Sequence, residues 1–434
     1  MKLNAASCKK LIFIQLGIEF FITFFIELFK LPSSITFLTD IINIVLCLYM
    51  VWSRKNIFRR VDAKPLEIIL LVLVGFIVVS AALNLVYPQY FLWGCRKYFR
   101  GIIFFVACVR FLDSDDYEKI LEFTFWLQIV NLLISLYQFF VLNLKQDFLG
   151  GIFGTSQGCN AYSNVFFFII VSFYISRYLR NRKYLPKMLF IIISCLLLAA
   201  LAELKIFFLE FALILLLELY FSKPSFKKIF ICIISVITFV VAMAIFEKLF
   251  PSFYARMTNL ADYISIGRDI DEGAYNISRI GAFRQVNELF LHTPFQRFFG
   301  LGLGNCENAP VDFLISPFFK KYGRYNYLWF GHTTNYMETG WIGTTLLLMF
   351  FAYHFIYSLI KEKKCAITLC YDFVFIKTLI IIITANYFYN NFIRDDIQYI
   401  VYFVLAMPYV IWKETKQTRR KQVKGERNNV QVDH

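Results

Sequence analysis

Long apolar runs recur along almost the whole chain and limit its fold more than any other feature. About twelve of them approach the roughly 20 apolar residues needed to cross a bilayer, at 11–29, 35–52, 66–87, 99–112, 120–142, 161–178, 186–202, 206–221, 229–246, 333–360, 366–389 and 397–412. Within lipid each segment has to satisfy its own backbone polar groups, which leaves the α-helix as the element compatible with runs of this length. The expected fold is therefore all-α, a polytopic membrane protein of about twelve transmembrane helices. Composition agrees, since 59% hydrophobic residues exceeds the roughly 45–50% apolar usage of soluble domains. The 52 Phe and 26 Tyr are more rings than one water-surrounded core hides, whereas lipid accepts them on every face of a helix.

Charge supplies the orientation. The formal net charge of +15 is not spread as in a nucleic-acid-binding surface but sits in connectors at 53–60, 177–187, 222–228 and 361–364 and in a tail at 413–427. When the runs alternate in direction these all fall on one side. The positive-inside rule makes that side cytoplasmic, with both termini inside. The expected partition is helices 1–9 over 1–248, a long extracytoplasmic loop with short amphipathic helices over 249–332, helices 10–12 over 333–412, and a basic cytoplasmic tail over 413–434. Membrane lipids are expected partners and nucleic acid is not. The first run contains Glu19 and Glu27 and is too long for a signal-peptide core, so it reads as a retained helix. The acidic stretch 113–119 reads as a helix cap rather than a metal-binding DxD pattern. The ten Cys lack metal-ligand spacing and read as packing residues, with Cys159 and Cys306 as a candidate pair on the outer side. No fixed-period repeat divides the chain, which speaks against the paired halves common in transporters.

The polar stretch 250–343 contains the residues best suited to chemistry. Ser278 to Leu291 carries apolar residues near helical spacing, with Ser278 placed as a cap. Arg279 then falls in the first turn, where the helix dipole disfavours a cation unless an anion is bound. Arg284 has Glu288 four residues on and is either half of an ion pair or a substrate contact. Gly300 to Gly304, GLGLG, is either a backbone able to approach phosphate or sugar closely or a plain turn. His332 stands just before an apolar run and is suited to accept a proton from a hydroxyl at neutral pH. Glu338 is in reach to orient its ring, and Tyr336 lies between them. On the same side Lys205, in the AELK turn, is either a paired or snorkelling charge or a neutraliser of an anionic headgroup. Arg96, Lys97 and Arg100 are an outer basic cluster that points to an anionic ligand.

These parts resemble the O-antigen ligase and polymerase superfamily, above all the Wzy-type polymerases of capsule, exopolysaccharide and O-antigen repeat units. The resemblance rests on SR at Ser278 and Arg279, the G-x-G of 300–304, His332, and E-x-G-x-x-G from Glu338 to Gly343. The loop GGIFGTSQGCNAYSN, which contains Asn160, and the turn AELKIFF are similar to the family's earlier outer loop and central outer turn. Lys205 stands where the family often has arginine, and Asn335 follows the histidine after three residues instead of directly. The resemblance implies a membrane glycosyltransferase of the bacterial cytoplasmic membrane that joins polyprenyl-pyrophosphate-linked oligosaccharides at the outer face, needing no metal or cofactor. It implies His332 and Arg279 as catalytic residues and Lys205, Arg284, Arg96, Asn160, Tyr336 and Glu338 as substrate contacts. A chain-length regulator and a flippase of the same pathway are implied partners. The alternatives are a ligase that moves the glycan to another acceptor and a lipid-linked glycan flippase or transporter.

Overall fold

The computed structural model describes residues 4–53, 56–223, 226–249, 277–366 and 369–432, with positions 251 and 254. Every regular element among them is helical, and twelve of these helices have sixteen or more residues. They are α1 (Ala5–Phe29), α2 (Phe37–Trp52), α3 (Lys64–Leu83), α4 (Pro88–Phe111), α5 (Ser114–Phe140), α6 (Asn160–Arg180), α7 (Leu185–Leu201), α8 (Lys205–Phe221), α9 (Phe226–Leu249), α10 (Gly331–Glu362), α11 (Cys370–Tyr387) and α12 (Gln398–Val432). Among the described residues eight helices are long and apolar enough to cross a membrane.

The pattern of side chains sorts these helices into inner and outer ones. α6 has large apolar residues on all faces, as a central helix must, and only Ala161, Tyr162 and Arg180 escape full burial. It packs against α7, α8 and α11, while α12 runs along α4. On α2, α3 and α5 the residues Leu48, Val51, Ile68, Leu71, Trp126 and Leu133 are each at least 60% exposed. Such an apolar belt suits contact with lipid chains. α1 belongs to the bundle, since Glu27 accepts from the Thr155 N–H at 2.6 Å and its Oγ1 at 2.9 Å. The acidic stretch at 113–119 does cap α5: Asp116 accepts from the Asp113 N–H at 2.8 Å and pairs with Lys9 at 2.7 Å.

Connectors gather at two ends. At the end carrying the long loop, Ser80 Oγ donates to Phe299 O (2.7 Å), the Gly331 N–H to Asn390 O (3.1 Å) and Asn160 Nδ2 to Ala202 O (3.4 Å). At the opposite, basic end, Arg177 meets Asp372 at 3.3 Å, Lys361 meets Asp62 at 3.7 Å, and Lys413 donates to Leu112 O at 2.8 Å.

Three expectations change. The fourth apolar run, expected at 99–112, is the second half of a helix that begins at Pro88, so the outer basic cluster of Arg96, Lys97 and Arg100 lies on α4. Proline is well placed at its first turn, and the basic residues within it reach carboxylates rather than lipid. Ser278 does not open a helix: its Oγ accepts from the Gly281 N–H at 3.0 Å, and the helix runs from Ala282 to Leu289. Arg279 therefore sits in a turn, outside the helix dipole. Cys159 and Cys306 are both free and buried, the first donating to Asp147 O at 3.3 Å and the second enclosed in the long loop. The tail continues α12 as helix to Val432. Within the loop, positions 250, 252–253 and 255–276 lie outside the described residues.

Candidate functional site

Gly340 shapes the loop end. With φ 60° and ψ −164° it adopts a conformation essentially restricted to glycine, and it divides α10 into a short segment, 331–339, and a long segment, 341–362. The glycine-rich turn 300–304 packs backbone to backbone against this break. Leu301 and Gly302 donate to the carbonyls of Met337 (2.8 Å) and Glu338 (3.0 Å), and Gly304 and Cys306 donate to Glu338 Oε1 at 2.9 and 3.0 Å. These N–H groups are thus bound to α10 and are not turned toward a ligand.

The other Glu338 oxygen pairs with Arg394, whose Nη1 also reaches Glu307 at 2.6 Å; Glu307 in turn holds Lys97 at 2.7 Å. Glu338, Glu307 and Arg394 have side chains at most 1% exposed. Burial opposes the Glu307 charge, yet Lys97 and Arg394 hold its carboxyl below the ordinary range. Glu338 therefore joins the loop, α10 and the α11–α12 connector, and its carboxylate is occupied by partners other than the imidazole of His332.

His332 lies in the first turn of α10, 1% exposed. The rings of Phe283 (5.3 Å), Phe388 (5.3 Å), Phe330 (6.1 Å) and Tyr387 (6.3 Å) surround it. Its Nε2 is 3.5 Å from Thr333 Oγ1, its buried Nδ1 has no partner in good hydrogen-bond geometry among the described residues, and the Tyr387 backbone lies against the ring. Arg279 is beside it: the guanidinium stacks on Tyr389 at 4.1 Å and on Phe330 at 4.8 Å, and its backbone lies against the imidazole. Arg279 has no carboxylate partner among the described residues. The two residues expected to act together thus share one aromatic pocket.

The other expected contacts lie at varying distances from that pocket. Tyr336 donates to Asn287 Oδ1 at 2.7 Å and packs on Phe283 and Trp341, which fastens the short helix Ala282–Leu289 to α10. Arg284 faces solvent and pairs with Glu288 at 2.7 Å. Lys205 opens α8 beside the Glu203 turn, where Asn160 Nδ2 reaches both Asp147 Oδ1 (3.1 Å) and Ala202 O. Five residues further along α8, about 7.5 Å of helix, the buried Glu210 accepts from Asn386, the neighbour of Tyr387. Lys205 and Asn160 therefore form a second polar group, linked through α8 and α11 to the His332 pocket. Arg96 is elsewhere. Its Nε donates to Asp40 Oδ2 at 2.9 Å and its guanidinium stacks on Trp93 at 4.5 Å, in a cleft of about 490 Å³ between α2, α4 and the α11–α12 connector.

Several important residues were not singled out from sequence: Arg394, Glu307 and Asp395, and inside the bundle Glu210 and Glu218. The signals were present, in NNFIRDDIQ between two apolar runs and in two acids within the apolar run of α8. A buried ionisable group in such a run usually has a functional or paired partner, and here Ser172 and Ser176 donate to Glu218 at 2.8 and 2.6 Å.

Asp395 makes no ion pair among the described residues and lines the cleft. Burial pushes its carboxyl up to about 6, with Asp396 adding to the effect and Lys97 and Arg100 opposing it. A carboxyl raised above its unfolded value favours the folded state only where it is protonated. That contribution is complete below about pH 4 and is lost as the pH rises through about 6. Asp395→Asn is therefore expected to raise Tm at pH 7.5 by an amount equivalent to about 1–2 kcal/mol, with the difference shrinking to nothing near pH 4. A Tm gain that is the same at both pH values would remove the ionised carboxylate as its cause.

Compared with protein-family models and with curated proteins, the chain finds no match.

Proposed function

We propose that this protein is a membrane glycosyltransferase that polymerises polyprenyl-pyrophosphate-linked oligosaccharide repeat units at the outer face of the cytoplasmic membrane. The observation that carries the reading is the placement of Arg279, a cation without a carboxylate partner among the described residues, against the buried imidazole of His332. Lipid-linked pyrophosphate is already a good leaving group. Transfer then needs a base for the acceptor hydroxyl and cations for the charge that develops on the leaving oxygen. His332 takes the hydroxyl proton as that oxygen bonds to the anomeric carbon. The bond from the anomeric carbon to the pyrophosphate oxygen breaks, and Arg279 with Lys205 receives the polyprenyl pyrophosphate. A single displacement of this kind inverts the anomeric centre. The imidazole is enclosed by the rings of Phe283, Phe388, Phe330 and Tyr387, so at least one of them has to move before an acceptor hydroxyl reaches it. The basic connectors share the end opposite the pocket, and the positive-inside rule assigns that end to the cytoplasm.

His332→Ala is expected to abolish polymer and leave single repeat units on the lipid, with the protein still inserted. Surface glycan sized by gel reads the outcome, and chains of normal length would remove His332 as the base. Arg279→Lys keeps the charge but loses the planar fork that binds phosphate through two N–H groups, so it is expected to shorten or deplete the polymer.

A lipid-linked glycan transporter is the second reading. It is favoured by Glu218, fully buried in α8 with two serine donors, and by the buried Lys377, which pairs with the partly exposed Glu362 at 2.7 Å. Precursor trapped on the cytoplasmic face of a deletion strain would select it over polymerisation.

A further inference from the structure

We propose that the trough beside Trp93 binds a neutral oligosaccharide and, given the glycosyl-transfer reading on which this rests, that it holds the acceptor glycan. The cleft of about 490 Å³ adjoins one of about 380 Å³, and Trp93, Lys97, Pro310 and Asp395 line both. Each lies within the roughly 300–1,000 Å³ of ligand sites, and together they form one trough across the loop end. It starts at Ser34 and Phe37 and ends at Leu328 and Asn391. At that end Asn391 Nδ2 donates to Leu328 O at 2.8 Å, and the adjacent Asn390 O receives the Gly331 N–H. The trough therefore reaches the turn that carries His332.

Its charges disfavour phosphate. Arg96, Lys97, Arg100 and Arg394 each already bond a carboxylate, those of Asp40, Glu307, Asp396 and, for Arg394, both Glu307 and Glu338. With Asp395 added, these four cations are matched by five carboxylates, of which Asp40 and Glu338 lie behind the walls, so the trough has no unmatched positive charge to hold a pyrophosphate. The basic cluster expected from sequence to bind an anion is thus neutralised. Sugar hydroxyls fit both halves of such pairs, donating to carboxylate oxygens and accepting from guanidinium N–H groups. Phe37, Trp93 and Tyr162 supply the apolar walls against which sugar rings lie. The raised carboxyl pKa of Asp395 fits the same picture, since a carboxylate without an ion-pair partner among the described residues, kept at a cost in stability, suits a ligand-binding position.

The test uses full-length protein in nanodiscs and two probes: the free repeat-unit oligosaccharide released by mild acid from the strain's lipid-linked precursor, and inorganic pyrophosphate. Asp395→Ala and Val311→Trp are expected to weaken oligosaccharide binding about tenfold or more, roughly 1.4 kcal/mol, and to leave pyrophosphate affinity unchanged. Val311 is 42% exposed on the cleft wall, so added bulk there blocks the trough without entering the core. Arg279→Ala is expected to do the reverse. Unchanged oligosaccharide affinity in both trough variants overturns the proposal, as does loss of pyrophosphate binding in parallel. Wild-type protein that binds pyrophosphate but no oligosaccharide removes the trough alone; protein that binds neither removes the glycosyl-transfer reading with it.

Discussion

Glu338→Ala is expected to cost about 3–5 kcal/mol, the range for removing one partner of a buried ion pair, and to take the folded loop end with it. The carboxylate is fully buried and bonds the N–H groups of Gly304 and Cys306 and the guanidinium of Arg394. Alanine leaves both N–H groups without an acceptor, each at about 1–3 kcal/mol, and leaves Arg394 with Glu307 alone. A loss of that size is a large part of the roughly 5–15 kcal/mol that keeps a typical protein folded. Glu338→Gln separates the two contributions. It retains an oxygen for the N–H groups but turns an amide toward Arg394, so its loss is expected to fall between wild type and alanine. Thermal unfolding in detergent, together with the amount of protein in the membrane, measures both. An alanine variant with wild-type Tm would show that the loop is held by other contacts.

Gly340→Ala is expected to be nearly as damaging for a different reason. A Cβ there would lie 2.4 Å from the carbonyl carbon and oxygen of Phe298 and 2.7 Å from the Gly300 nitrogen. All three are backbone atoms and cannot rotate away. Overpacking of this kind costs about 1–3 kcal/mol, and forcing a side chain into the glycine-only region adds about 1–3 kcal/mol. The relaxed product is an α10 that straightens and moves His332 away from Arg279, so under the proposed glycosyl transfer polymer should vanish even where protein persists. Gly75→Ala is the control. It lies in α3, and a methyl group there would meet nothing within 4 Å, so stability is expected to be unchanged or slightly raised. If both variants make normal polymer at normal abundance, the break in α10 is dispensable.

The two glycine-rich motifs show how far sequence carries. GLGLG and E-x-G-x-x-G both stand out as places where backbone comes close to something. Sequence leaves open whether that something is a phosphate or another stretch of chain. Gly300 and Gly340 answer with each other: a Cβ on Gly300 would be 2.4 Å from the Glu338 carbonyl carbon, as one on Gly340 would meet Phe298. The basic residues of α4 pose a similar choice. Arg96, Lys97 and Arg100 read as an excess of positive charge because their carboxylates, Asp40, Glu307 and Asp396, lie far away in sequence.

Apolar period and charge placement are local properties, each readable within about 20 residues. They were enough to determine that the chain is helical, that its helices fall at the apolar runs, and that the basic connectors share one end. The same local reading selected Arg279 and His332, because a cation and an imidazole at the edges of apolar runs stand out in any frame. Tertiary structure decided what each of them touches. The Glu338–Arg394 bond joins residues 56 positions apart, and Arg100 meets the Arg394 carbonyl across 294. Such pairings depend on which helices pack side by side, and helix packing is set by the summed shapes of many side chains rather than by any short motif. For that reason the ion-pair hub under the loop, and the trough lined by its neutralised charges, became visible only in the folded chain.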